Sequence, residues 1–213
     1  MRSKGRYLSL VAGWWLAGLC WAQAQDVTQT YDDGRLKAQG TLQEGHRHGR
    51  WTFYYPDGTV SATEQYRHGQ LEGLVQYYDF AGRLIGREQW HEGAPEDSAV
   101  YYHPNGQVEK TGVYRAGLYE GDWLFYNPDG SLRQRGQYHQ GFPHGEWFIY
   151  DETGTLQQHG FYRHGQEDGP WEFYDAKGRL QYKGTFAAGH KVGDWQEYDR
   201  RGRVRDTQHH PLP

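Results

Sequence analysis

Sulfur is nearly absent from this 213-residue chain, which holds one methionine and one cysteine, Cys20. Long apolar runs are equally scarce: the single one, Leu8 to Trp21, contains Cys20, follows Arg2, Lys4 and Arg6, and precedes Ala22-Gln23-Ala24. A basic start, an apolar stretch too short to span a bilayer with ease and small residues at alternate positions describe an export signal cut after Ala24. Residues 1–24 are therefore expected to be a signal peptide, and the mature chain to begin at Gln25 and act in the periplasm or outside the cell. Leu19 stands where a lipid-anchored cysteine wants a small residue, so Cys20 is not expected to carry a lipid. Its loss with the signal excludes disulfides, a thiolate nucleophile and thiolate metal ligands from the mature chain. Positive charge is also in short supply, with 23 Lys and Arg against 27 Asp and Glu, and the signal takes three of the cations. That balance excludes nucleic acid and anionic membrane surfaces as natural partners, since both call for a basic face.

Aromatic residues make up 16% of the chain and glycines number 30. They fall into register at steps of 24 residues from Gly49, without insertion or deletion. Position 6 of every block is tyrosine (Tyr54, Tyr78, Tyr102, Tyr126, Tyr150, Tyr174, Tyr198) and position 10 is glycine (Gly58, Gly82, Gly106, Gly130, Gly154, Gly178, Gly202). Position 12 is Leu or Val throughout, and a second glycine stands at position 21 of each full block. Tryptophan holds position 3 as Trp51, Trp123, Trp147, Trp171 and Trp195, but Val75 and Ala99 replace it in two blocks, the second of which opens on Asp97 instead of glycine. Two fixed glycines with aromatic and β-branched runs between them describe two turns and two strands per block.

In Gly49 to Glu72 the first strand is Trp51-Thr52-Phe53-Tyr54-Tyr55 and Pro56-Asp57-Gly58 is a turn. Proline presets one backbone angle, aspartate bonds the backbone two residues on, and glycine takes the positive φ. The second strand runs from Val60 to Arg67, and His68-Gly69-Gln70 turns the chain back. Loops this short join only antiparallel neighbours. The expected fold is all-β, an elongated twisted antiparallel meander of stacked hairpins with about 14 strands. Residues 25–48 supply an N-terminal partial repeat, 49–192 six full repeats, and 193–213 a partial repeat and tail running out into Gln208-His209-His210-Pro211. In the second strands the even positions are apolar and the odd ones polar, so one face is wet. Glycines at position 16 (Gly112, Gly136, Gly160, Gly184) are expected to lie beneath the large rings of neighbouring first strands.

The unit Gly-x-Trp-x-Phe-Tyr-x-x-x-Gly-x-Leu, followed by Gly-x-Tyr-x-x-Gly, resembles the MORN repeat over residues 31–205, in the bacterial variant found in the YwqK-type antitoxin family. The resemblance implies a hairpin stack without catalysis and, for its bacterial members, neutralisation of a toxin encoded nearby.

Eight of the twelve histidines (His46, His48, His68, His91, His139, His144, His164, His190) fall along one turn edge. Equivalent positions in successive repeats are two strands, about 10 Å, apart, while two ligands of one zinc each sit about 2.1 Å from it. Only His46 with His48, or His209 with His210, is expected to come close enough to share an ion, and no metal or other cofactor is expected. Recurrent carboxylates such as Asp57, Asp129, Glu72 and Glu96 suit turns and strand edges, no catalytic motif is present, and the chain is expected not to be an enzyme. The normally polar second turn carries Leu71, Leu118-Tyr119 and Phe142 in successive repeats. These form the candidate surface for a protein partner, unless each folds back on its neighbour. Three functions remain open: an exported antitoxin or immunity protein, an envelope module binding choline-like cations or sugars through exposed tryptophans, and an envelope scaffold.

Overall fold

The computed structural model describes residues 24–212; most of the expected signal peptide, with Cys20, lies outside them. Every element is a β-strand, and the 18 strands form one antiparallel sheet. The chain opens with β1 (Gln25–Thr30), β2 (Leu36–Gln43), β3 (His46–Tyr54) and β4 (Val60–Arg67), each paired with the next. The first strand of the following unit is broken into β5 (Gln70–Leu71) and β6 (Gly73–Tyr78), both paired with β4. The pattern continues through β7 (Leu84–His91), β8 (Ala94–Tyr102), β9 (Val108–Arg115), β10 (Leu118–Tyr126), β11 (Leu132–His139), β12 (Phe142–Tyr150) and β13 (Leu156–Arg163). A second broken strand, β14 (Gln166–Glu167) with β15 (Gly169–Tyr174), precedes β16 (Leu180–Ala187), β17 (His190–Tyr198) and β18 (Val204–His210).

The count exceeds the expected one at the ends as well as at the breaks. Residues 25–48 hold both strands of a unit, with Val27 at the tryptophan position, and Gln208, His209 and His210 pair with β17 instead of trailing away. Polar composition hid both strands, because an edge strand has no need of an apolar face.

The two turns differ in mechanism. At the first, Tyr55 N–H donates to the Thr59 carbonyl at 2.8 Å, Gly58 N–H to the Tyr55 carbonyl at 2.9 Å, and Thr59 N–H to the Asp57 carboxylate at 2.8 Å. Gly58 has φ +90°, open to glycine alone without strain. A bulge beside the recurrent tyrosine shifts the register in every unit, between Phe53 and Tyr54 for example. The second turn is a two-residue loop with both residues at positive φ, as in His68 (+50°) and Gly69 (+83°), the twist that suits a tight hairpin. Asp97, standing where other units have glycine, keeps the positive φ at +65°, which aspartate tolerates better than most side chains.

The core is a single row of residues crossing the strands. Trp51 and Trp123 are 0% exposed, and Trp147, Trp171 and Trp195 are buried as well. Each indole lies over a glycine of the preceding strand: Trp51 on Gly40, Trp123 on Gly112, Trp147 on Gly136, Trp171 on Gly160 and Trp195 on Gly184. A Cβ at any of these glycines would fall inside its ring. Four indoles donate N–H to backbone carbonyls, Trp51 to Thr41, Trp123 to Val113, Trp171 to Phe161 and Trp195 to Thr185, at 3.0–3.1 Å. Trp147 is turned over, with its six-membered ring on Gly136, and makes no such bond. Residues at position 23 close the row from above. Arg47 lies 4.6 Å over Trp51, Tyr119 stacks at 3.7 Å on Trp123, and Lys191 lies 4.2 Å over Trp195.

The opposite face is the wetter one. One cross-strand row runs from Thr28 through Gln39, Thr52 and Thr63, takes in the apolar Val100, Leu124 and Phe148 at its middle, and goes on to Glu172, Lys183, Gln196 and Thr207, with Lys183 paired to Glu172 at 2.9 Å.

Candidate binding surface

Two places in the ribbon break its regularity, and both concern residues that leave the repeat pattern. The first follows from Val75 and Ala99. Where position 3 is small, the preceding position 16 is not glycine but glutamate: Glu64 before Val75 and Glu88 before Ala99. The space that an indole fills elsewhere is taken by a carboxylate chain. Glu88 is 8% exposed and accepts hydrogen bonds from the Tyr77 hydroxyl (3.0 Å), the Trp90 indole N–H (2.9 Å) and the Tyr101 hydroxyl. Tyr101 also meets the Tyr114 hydroxyl at 3.0 Å. Beside this network, the Lys110 ammonium lies 4.2 Å from the Tyr101 ring centre and donates to the Tyr119 hydroxyl at 2.8 Å. On a smaller scale Glu64 repeats the device, accepting from Tyr66, which in turn accepts from Arg47 at 2.9 Å.

Burial, reinforced by the Glu88 carboxylate, pushes the Tyr101 and Tyr77 hydroxyls well above the usual tyrosine range. Burial also pushes Tyr114 and Tyr138 up to about 12. These groups are therefore neutral donors across the physiological range. A phenol whose folded pKa is raised contributes stability that is complete below the unfolded value, about 10, and is lost as pH climbs through the folded one. We expect cooperative loss of the far-UV circular dichroism signal between pH ~10 and ~12. A Tyr101→Phe chain should resist to higher pH. A native signal unchanged beyond that window would show that these phenols do not couple to folding.

The second irregularity is the turn edge. Leu118 is 48% and Phe142 59% exposed, each against the next turn along the edge: the Leu118 side chain at Gly141 and the Phe142 ring at Gly165. Leu71 is half-buried, and Tyr119 folds onto Trp123. Of the four candidate residues, the structure thus leaves Leu118 and Phe142 open and turns Tyr119 inward. On the other turn edge Phe80, 69% exposed, stacks on Tyr55 at 3.9 Å between ring centres.

The expectation that only His46 with His48, or His209 with His210, come near one another is corrected by the structure. The His144 ring lies 5.7 Å from His139 and 5.2 Å from His164, and His48 lies 6.2 Å from His68. Spacing between equivalent positions is two strands, but side chains at positions 19, 20 and 24 come from adjacent hairpins and meet across one junction. His139 is held by Glu120 at 3.1 Å. Among the described residues no three His, Cys, Asp or Glu side chains are placed to hold a metal ion. Two clefts are open troughs on the wet face. One of about 400 Å³ lies between Asp26, Gln39, Arg50 and Thr52, and another of about 370 Å³ between Arg87, Val100, Tyr102 and Tyr126. No helix among the described residues is long and apolar enough to cross a membrane.

An open antiparallel ribbon of repeated hairpins, with a core chiefly of glycine-seated tryptophans, defines a β-repeat protein. The family model described as MORN repeat variant matches residues 47–68, 98–116, 119–140, 143–164 and 167–188, just over half of the chain, which therefore belongs to that family. No curated protein matches. Among solved structures, the chain is similar to the Photorhabdus luminescens Tc holotoxin pore carrying TccC3-D651A, at 15% identity and TM-score 0.22, over 82% of this chain and 12% of that one. It is likewise similar to TcdB2-TccC3-TEV, at 13% identity and TM-score 0.22, over 80% of this chain and 12% of that one. The chain spans about an eighth of those proteins, and likenesses this weak carry no argument.

Proposed function

We propose that this chain is an exported, non-enzymatic binding protein whose partner is another protein, and that it acts as an antitoxin or immunity protein against a toxin encoded nearby. The observation that carries the binding reading is the contrast between core and edge. The tryptophans that could have formed a ligand cage are buried, three of them beneath Arg47, Tyr119 and Lys191, whereas Leu118 and Phe142 stand open side by side on the turn edge. A ribbon of this kind presents a broad surface to a macromolecule, and an exposed aromatic anchor such as Phe142 suits a protein interface. Likeness of the repeat unit to bacterial antitoxins, together with the export signal read in residues 1–24, supports the finer assignment. The open troughs of the wet face offer no enclosed pocket of the kind small-molecule chemistry uses.

The test is a growth assay in which the product of the adjacent gene is exported to the periplasm alone and with this chain. Arrest relieved only by co-expression supports the reading, and no arrest, or arrest without rescue, removes the antitoxin assignment. Leu118→Ser with Phe142→Ser is expected to weaken the complex roughly thirtyfold, the equivalent of about 2 kcal/mol, without altering circular dichroism. Undiminished affinity in that variant would take this edge out of the interface. Tyr119 is left intact because its stacking on Trp123 would confound folding with binding.

A further inference from the structure

We propose that the two edges of the ribbon left unpaired among the described residues dock on one another, so that chains associate head to tail through β18 of one copy and β1 of the next. The two edges are complementary in direction: β1 is the first strand of its unit and β18 the second strand of its own, so they run antiparallel, as at every internal junction. They are also complementary in size. Each internal junction obeys one rule, in which a glycine at position 16 receives a tryptophan from the next unit and a long polar side chain receives a small residue. Gly40 with Trp51 and Gly184 with Trp195 follow the first form, and Glu64 with Val75 and Glu88 with Ala99 the second. At the ends, position 16 of the last unit is Gln208 and position 3 of the first is Val27. A long polar side chain would face a small apolar one, which is the second form of the rule.

Extending the register of the β9–β10 and β7–β8 junctions across the gap sets Thr207 opposite Thr28 and Gln208 opposite Val27 of the second copy. Asp206 would face Gln29 and Arg205 would face Thr30, so no like charges oppose one another. Pro211 follows β18, and the position that would face it in this register lies before Gln25. Unpaired strand edges bind what their register and side chains admit, and a heterologous contact of this kind continues past the dimer.

Sedimentation equilibrium of the chain beginning at Gln25, from micromolar to near-millimolar concentration, tests this. The average mass is expected to rise with concentration beyond that of a dimer. Val27→Trp, which would set an indole against Gln208, should raise the concentration needed by roughly tenfold, the scale of an overpacked contact. Gln208→Gly should also weaken association by leaving a gap, and Val27→Trp with Gln208→Gly should restore it by making the first form of the rule. A mass fixed at the monomer would overturn the proposal and mark both ends as caps. A mass that stops at the dimer would overturn it in favour of like edges pairing. A double variant no better than Val27→Trp alone would also overturn it. Both positions lie on edge strands, so circular dichroism should be unchanged; if Val27→Trp disturbs it, Gln208→Gly alone decides.

Discussion

Gly160→Ala is expected to lower the unfolding free energy by about 3 kcal/mol, a large effect for one methyl group. The added Cβ would fall inside the Trp171 ring, and overpacking of a tight core costs about 1–3 kcal/mol. If the indole lifts to make room, its N–H loses the Phe161 carbonyl, now at 3.1 Å, for roughly another 1 kcal/mol. Gly154→Ala is the control. Nothing lies within 4 Å of a Cβ there and φ is +79°, so it should cost only the backbone strain, about 1 kcal/mol. Chemical denaturation of the two variants measures the difference, and equal losses would mean that the glycine seat does not hold the tryptophan. A rescue sharpens the test. Gly160→Glu with Trp171→Val copies the Glu64 and Val75 arrangement and should recover at least ~1 kcal/mol relative to Gly160→Glu alone.

The fold was legible because its grammar is local. Glycine at positions 10 and 21, tyrosine at 6 and a hydrophobic residue at 12 each correspond to a turn, a bulge or a pairing in the sheet. Even the ring-over-glycine packing could be inferred from Gly112, Gly136, Gly160 and Gly184, because a missing side chain opposite an aromatic strand has few other uses. Less was legible where meaning lay in pairs of departures. Val75 and Ala99 were visible as exceptions, and Glu64 and Glu88 stand where glycine was expected. Taken together, they describe a swap of indole for carboxylate that neither departure suggests alone. The edge strands escaped for a related reason: alternation of polarity marks a strand with one dry face, and β1 and β18 are exposed almost throughout. The histidine contacts depended on side-chain direction at a turn, which strand spacing does not encode. For the candidate binding edge, the sequence located Leu118 and Phe142 but could not separate them from Tyr119, since the stacking of Tyr119 on Trp123 is a fact of three dimensions.

Glu88→Ala is expected to cost about 3 kcal/mol through a mechanism opposite to that of Gly160→Ala, by removing an acceptor instead of adding bulk. The carboxylate receives three donors, Tyr77, Trp90 and Tyr101, and among the described residues no ion pair reaches it. Truncation leaves those donors around a void, and unsatisfied donors away from water cost about 1–3 kcal/mol each when fully buried. The phenols are only half-buried, so the sum stays at the low end, with a cavity contribution added. Glu88→Gln keeps one carbonyl oxygen, and Tyr101 can turn its proton toward Tyr114 to accept from the new amide, so about 1 kcal/mol is expected there. The discriminating variant removes both sides of the network. Glu88→Leu with Tyr77→Phe and Tyr101→Phe leaves mainly apolar groups of similar shape, which costs far less than a broken network. Its denaturation midpoint should therefore lie above that of Glu88→Ala. If Glu88→Ala and the triple variant both unfold with the native chain, the network contributes nothing to stability. If the apolar triple variant is as stable as the native chain yet loses the partner captured by the native protein, the carboxylate and its tyrosines belong to the binding surface.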